Sequence, residues 1–589
     1  MLGKPPQATT CDLVMKGGVT SGVVYPAAVL ALKDRYRFVN IGGASAGAIA
    51  AAVTAAAEYA RDDAAPAADG FARLADVRAE LQQPGLLPRL FQPTKETRPA
   101  LELLLAVQES HSVPKKIGIV LVRLLRRLWL PVAIEVAAVF CLVAVAIGQA
   151  GGSWASLGVW GWAAVGVLLL TAAVLGLVLT VVHRAYRIAT RHIPVSYFGA
   201  CLGKSEGRSR TPALSEWLHE KIQYIAGRSE PLTFADLEGA DLEGRGRNEP
   251  VRLRMMTTDL ARARPLRLPY AGDDYWYAPD EFEVLFPAEV MRYLRDLPGE
   301  VRAVAGAVPE LRRFPGAELP VLVATRMSLS FPGLLSAVPL WTLYDGKPVR
   351  HWISDGGISS NFPVHLFDAW VPGRPTFGLN LVPAQRVDTP PASAEDAVER
   401  HVAAPAPVRR ADIRGTAGFV SQILDTMQNW RDTLQSELPQ FRDRIAHIEL
   451  EAHEGGMNIS MPPDVVRSVD RKGTLAGEQL AGFDWPSHKL RRYVSFMRSL
   501  QTGLRPAPDG GPPGVRDGFD PAYAAWLAAG AQGVDRPLEV DQTWYPLASA
   551  ATVGLLDDAD RWLDRAAALS FAIGAEELPR SVMRVTPDV

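Results

Sequence analysis

Residues 36–60 read YRFVNIGGASAGAIAAAVTAAAEYA, and the order of side chains in this run decides the fold. Tyr36 to Gly42 predicts a short strand. The small residues Gly43-Ala44-Ser45-Ala46-Gly47 predict a tight turn, and the alanine-rich stretch Ala48 to Ala60 predicts a helix. The same grammar occurs upstream. Cys11 to Lys16 (CDLVMK) reads as a buried strand, Gly17-Gly18-Val19-Thr20-Ser21-Gly22 as a glycine-rich turn, and Val23 to Asp34 as a helix. Two strand–turn–helix units within sixty residues predict an α/β domain whose neighbouring strands run parallel.

Ser45 sits in G-x-S-x-G, flanked by Gly43 and Gly47, where strand passes into helix. A turn this tight excludes bulky neighbours and presents the hydroxyl at a helix N-terminus, where backbone N–H groups favour developing negative charge. That is the placement a nucleophile needs. The bland alternative is a small-residue helix packed on the sheet. Gly17 and Gly18 follow the first strand and predict main-chain donors for an oxyanion, with the N–H of Ala46 as a third. A dinucleotide-binding loop competes for the same glycines, but GGVTSG lacks the full G-x-G-x-x-G pattern. For a base, Asp355 closes a predicted strand, His351 to Ser354, and opens the turn Gly356-Gly357. Its carboxylate would then project past the carboxyl edge of the sheet, beside the Ser45 turn. His365, His447 and His453 also follow in chain order, so a Ser–His–Asp triad is the competing arrangement.

The chain has 589 residues, 62 Lys+Arg against 64 Asp+Glu, 21% charged and 48% hydrophobic side chains. A net charge of −2 offers no cationic field for nucleic acid. Three scattered cysteines, Cys11, Cys141 and Cys201, predict neither a disulfide framework nor a zinc site. The apolar content is local. Val136 to Val182 is 47 residues without a charged side chain. It predicts two spans, about 131–150 and 157–182, joined by the turn Gln149 to Ser156, with Glu135 near headgroup depth; a pair of buried core helices and a hairpin that enters one leaflet and returns are the alternatives. Lys115, Lys116, Arg123, Arg126 and Arg127 precede this hairpin, and Arg184, Arg187 and Arg191 follow it. The turn carries no cation. The positive-inside rule then predicts a two-span membrane protein with the catalytic domain and both termini in the cytoplasm. Ile117 to Leu128 reads as a basic amphipathic helix on the membrane surface.

Elsewhere, Asp62 to Gly70 reads as a loop, and Phe71 to Leu81, Ala100 to Glu109 and Pro320 to Leu329 as helices. Arg252 to Thr257, Thr376 to Leu381 and Arg444 to Leu450 read as strands. Val387 to Val408 reads as a linker and Pro506 to Gly518 as a loop; Gly415 to Leu438 and Asp557 to Ala572 read as helices. The expected layout is a catalytic domain over 11–381, an insert over 115–192 holding the amphipathic helix and hairpin, and a mainly helical region over 382–589.

These motifs together resemble the patatin-like phospholipases, lipid acyl hydrolases with a Ser–Asp dyad. The family's glycine-rich oxyanion loop is matched by Gly17, Gly18 and Gly22, its G-x-S-x-G by Gly43, Ser45 and Gly47, and its D-G-G by Asp355, Gly356 and Gly357. Thr257 to Leu260 and Ala324 to Pro332 are similar to two further family segments. The usual loop has a third glycine where Val19 stands and a basic residue where Ser21 stands. The resemblance implies a three-layer α/β/α domain with a mainly parallel sheet, here interrupted by a transmembrane hairpin. It implies Ser45 as nucleophile and Asp355 as its base, with no metal or other cofactor. The implied activity is hydrolysis of fatty-acyl esters of a phospholipid or lysophospholipid. Transfer of the acyl group to a lipid acceptor, or an inactive membrane scaffold of the same fold, are the alternatives. A membrane lipid is the expected partner.

Overall fold

The computed structural model describes residues 9–18, 20–61, 69–98, 101, 113–149, 158–205, 211–239, 250–303, 310–383, 443–451, 461–504, 519–530 and 543–566, with seven isolated positions (423, 426, 453–455, 458 and 532). Val19, nearly all of the helices expected over 100–109 and 415–438, the linker 387–408, the loop 506–518, most of the loop 62–70, nearly all of the turn 149–156 and the end of the helix 557–572 lie outside the described residues.

Two features of the sequence organise the sheet: runs of β-branched and aromatic residues, and what connects them. The strands are β1 (Thr10–Met15), β2 (Arg37–Ala44), β3 (Gly199–Cys201), β4 (Arg252–Asp259), β5 (Arg264–Leu268), β6 (Trp276–Tyr277), β7 (Val301–Arg302), β8 (Leu311–Arg313), β9 (Gly333–Leu335), β10 (Val338–Tyr344), β11 (Lys347–Ser354), β12 (Thr376–Pro383) and β13 (Ile445–Leu450). Eleven of them form one sheet in the order β13-β12-β1-β2-β4-β11-β10-β6-β8-β7, with β5 beside β4. The strands β3 and β9 make a separate parallel pair.

The expectation of a mainly parallel sheet is corrected: the sheet is mixed. From β13 to β4 every neighbour on the main path is parallel. From β4 outward through β11, β10, β6, β8 and β7, and at β5, every pair is antiparallel. The reason is local. β10 and β11 are joined by Asp345-Gly346, both at positive φ (49° and 73°). That is the two-residue hairpin turn whose twist suits antiparallel strands.

Helix α1 (Val24–Leu32) and helix α2 (Ala46–Tyr59) follow β1 and β2, and α3 (Gly70–Leu81) packs beside α2. Alanines on almost every face of α2 let it bury nearly its whole length between sheet and flanking helices. The main core runs through β1, β2, β4, β12 and these helices. The sheet does not end at Leu381. β13 pairs in parallel with β12, and the helix Pro463–Ala481 lies on α1.

The apolar run forms two long helices, Val113–Gln149 and Val159–Arg187, which lie against each other. Both are long and apolar enough to cross a membrane, and their span windows are 0% and 6% buried within the protein. The amphipathic stretch 117–128 is not a separate element. The first helix passes without a break through Pro131. Glu135 is half-buried and turned against Gly176 of the second helix.

Candidate active site

The turn after β2 is shorter than the five residues expected. β2 runs to Ala44 and α2 begins at Ala46, so Ser45 alone makes the corner. Its backbone is at φ 55°, ψ −129°, a conformation that a side chain disfavours. Such strain is of order 1–3 kcal/mol and persists only where the surroundings hold it. Here the surroundings are specific. The Ser45 N–H donates to Ser328 Oγ at 3.0 Å, and the Ser328 hydroxyl donates to the Met256 carbonyl at 2.6 Å. Ser328 thus ties the corner to β4 from the helix Val321–Ser328. Gly43 and Gly47 allow the strand and helix to close on each other, and a side chain on Gly47 would run into the Met15 carbonyl.

Asp355 follows β11 and caps a short turn over Gly356–Ile358, its Oδ1 accepting the Gly357 N–H at 2.7 Å. Its backbone is fixed on both sides. The N–H donates to Ser330 O at 3.0 Å, and the carbonyl accepts the Thr258 hydroxyl at 2.9 Å. A side chain on Gly356 would meet the Met256 carbonyl, so the turn lies flat on β4. Ser45 and Asp355 are each 3% exposed. Burial lifts the Asp355 carboxyl to about 7. A hydrogen bond from the Ser45 side chain and one from the Gly357 N–H favour the ionised form but do not offset it. The Oδ2 atom is buried and, among the described residues, accepts no hydrogen bond.

The glycine loop lies directly on this pair. A Cβ placed on Gly17 would stand 2.9 Å from Ser45 Cβ. Of the three expected oxyanion donors, two are occupied. Gly17 N–H donates to Asn361 O at 2.8 Å, and Ala46 N–H donates to Gly18 O at 3.2 Å. Among the described residues the Gly18 N–H donates to nothing, which leaves it free for a substrate oxygen. Gly22 faces Ala46, and the Ser21 side chain stands over Gly18. Ser21 in turn touches Gly455 from beyond the expected catalytic region.

His447 bonds Asn380 across β13 and β12, His365 lies in the turn Val364–Leu366, and none of the groups that set Asp355's ionisation is a histidine. Among the described residues there is no cluster of three or more His, Cys, Asp or Glu placed to hold a metal. Motif reading missed Asn361. Thr258 and Ser328 lay inside segments matched to the family without a role attached.

Comparison with known proteins bears on this arrangement. A family model described as patatin-like phospholipase matches residues 13–150, which takes in both glycine turns and Ser45 and ends before Asp355. The protein named RpoH suppressor of Rhizobium meliloti (strain 1021) is 38% identical over 585 residues, covering 88% of this chain and 90% of that one. The chain belongs to the patatin-like phospholipase family. Solved structures similar to this patatin-like chain include VipD from Legionella pneumophila, at 12% identity over 90% of this chain and 81% of that one, with a TM-score of 0.29. The type III effector ExoU matches at 13% identity over 96% of this chain and 73% of its own, with a TM-score of 0.27. Superpositions this loose leave the patatin-like assignment to rest on the sequence matches.

Proposed function

We propose that this patatin-like protein is a membrane-anchored serine hydrolase of fatty-acyl esters in phospholipids or lysophospholipids. One observation carries the reading: a strained serine corner and a buried aspartate, supplied by different strands, share one hydrogen-bonded pocket under a glycine loop. Asp355 takes the proton from the Ser45 hydroxyl as the oxygen attacks the ester carbonyl. The tetrahedral oxyanion is held by main-chain N–H groups of the glycine loop, with Gly18 as the free donor. Collapse expels the alcohol portion of the lipid, which takes a proton from Asp355, and leaves an acyl-Ser45 ester. Water, giving a proton to Asp355, attacks that ester; the Ser45 oxygen leaves, takes the proton back from Asp355, and the fatty acid is released. A carboxyl near 7 suits this role better than an ordinary aspartate, since its affinity for the proton is matched to neutral pH. The two long apolar helices would hold the site at the cytoplasmic leaflet, with both flanks in the cytoplasm.

The test is labelling with a fluorophosphonate alongside lipid-ester turnover in the wild type, Ser45→Ala and Asp355→Ala. Both variants should lose turnover, and Ser45→Ala should lose the label. Label retained on Ser45→Ala sinks the nucleophile assignment. Turnover retained on Asp355→Ala and lost on changing His365, His447 or His453 would replace the dyad with a triad. Acyl transfer to a lysolipid in preference to water would make the protein a transacylase.

A further inference from the structure

The second long helix does not stop where its apolar side chains do. It continues through the turns Ile188–His192 and Ile193–Val195, giving 37 residues from Val159 to Val195. At 1.5 Å per residue that is about 55 Å, against a hydrocarbon layer of about 30 Å. The uncharged part ends at Val182. The remaining turns carry His183, Arg184, Arg187, Arg191 and His192 and no carboxylate. Arg184, Arg187 and Arg191 are exposed; Arg184 and Arg187, three apart, share a face of the α-helix, and Arg191 lies in the wider turn that follows. Among the described residues they have no ion-pair partner. In the helix alongside, the sequence between Val113 and Glu135 holds Lys115, Lys116, Arg123, Arg126 and Arg127 and no acidic residue. Trp129 and Tyr186, 63% and 65% exposed, lie where this cationic base meets the apolar part.

The base is also fixed to the site. Tyr197 and Phe198 both adopt positive φ (51° and 64°), turning the chain out of the helix into β3. Their rings pack on Trp352 at 5.9 and 4.9 Å, three residues before Asp355. Ala337 N–H donates to Tyr197 O at 2.8 Å.

We propose that the base of the hairpin is a docking surface for the phosphate head groups of anionic phospholipids. The apolar helices adjoining it place these cations at headgroup depth, where lipid phosphate is the anion within reach, and not nucleic acid or an acidic protein. Juxtamembrane cations are attracted to an anionic leaflet, and the attraction is screened by salt. The surface would enrich anionic lipid beside the catalytic pocket. The binding rests on the membrane-anchored reading above, and its consequence for turnover rests on the hydrolase reading as well.

The experiment uses the full-length protein in two arms. In the first, protein purified in mild detergent from mixed phosphatidylcholine and phosphatidylglycerol is analysed for retained lipid. Phosphatidylglycerol should be enriched at least about threefold over its share of the mixture. The enrichment should fall to about one in an Arg184→Gln/Arg187→Gln/Arg191→Gln variant and in high salt, and inorganic phosphate at low millimolar concentration should not displace it. Retention in proportion to the mixture, or enrichment unchanged in the variant, overturns the proposal. Displacement by inorganic phosphate also overturns it, in favour of a free-anion site. In the second arm, turnover by protein in phosphatidylcholine vesicles is compared with turnover in vesicles containing phosphatidylglycerol. The ratio should exceed one for the wild type and approach one for the variant. A wild type that retains phosphatidylglycerol but cleaves no ester, including a soluble short-chain ester, fails the hydrolase reading and leaves the docking surface standing.

Discussion

Asp355 illustrates how a single residue sets activity and stability against each other. Its carboxyl titrates near 7 in the folded chain and near 4 when unfolded, because folding buries it. The native state therefore holds a proton that the unfolded state has already released between those values. Stability conferred by the protonated form is present below about 4 and is lost as pH rises to about 7. Under the proposed mechanism turnover should have the opposite dependence, rising as Asp355 ionises and levelling above pH 7. Asp355→Asn removes the ionisation while keeping an oxygen for the Gly357 N–H. It should abolish turnover yet raise the thermal midpoint at pH 8, by up to roughly 4 kcal/mol in stability, with the gain shrinking towards pH 4. Thermal unfolding of both proteins across that range checks this, and a gain independent of pH would contradict it. Ser328 is the second test at this scale. Ser328→Ala leaves the Ser45 N–H and the Met256 carbonyl buried without their shared partner. A loss of about 1–3 kcal/mol in stability is expected. The corner should relax, so kcat should fall more than KM rises; equal kcat in the two proteins would show that Ser328 does not hold the nucleophile.

Between elements, the region beyond residue 381 acts as the far wall of the α/β unit. The helix Pro463–Ala481 comes so close to α1 that a side chain on Gly473 would enter the Val24 carbonyl. Lys472, next in the chain, donates to Glu454 at 2.5 Å and to Glu449 O at 2.9 Å, and both ends of the pair are buried. Burial alone would raise the Glu454 carboxyl; Lys472, with the Glu451 N–H and Ser468, holds it below the usual range. Lys472→Met strands that carboxylate and should lower stability by about 3–5 kcal/mol in urea unfolding, with most of it recovered in Glu454→Gln/Lys472→Met. Because Gly455 lies beside Ser21 of the proposed oxyanion loop, so that a Cβ on it would meet Ser21, the single variant should also slow turnover. Of this wall only the strand over Arg444 to Leu450 was legible in the sequence; the rest was not, and the physical reason is range. The corner at Ser45 and the cap at Asp355 are written in two or three adjacent residues, since small side chains and a short turn suffice to specify them. Ser328, Asn361 and Lys472 matter through partners far away in the chain, which no local pattern encodes. The mixed sheet was half legible: Asp345-Gly346 between β10 and β11 is a local hairpin signal, whereas the pairing of β4 with β11 joins residues almost a hundred apart.

At the scale of the whole molecule, the hairpin sits in the chain between the serine and the aspartate of the proposed dyad, so the α/β unit can close only if both ends of the insert return to one place. The second helix returns through Tyr197 and Phe198 directly onto β11, and the two helices run side by side. A hairpin that crosses the bilayer must then expose its connecting turn on the side opposite the catalytic domain; one that dips into a single leaflet would not. Cysteine usage makes this measurable. Cys11 and Cys201 are buried in the α/β unit, and Cys141 is exposed on the first apolar helix. In sealed vesicles Cys141 should resist a membrane-impermeant maleimide from either side, because hydrocarbon covers it, and should react with an apolar one. Ser153→Cys, in the turn, should be labelled by the impermeant reagent only from the face opposite the Arg184–Arg191 flank. Labelling from the flank's own face would turn the two spans into a re-entrant loop and move the lipid-facing side of the active site with it.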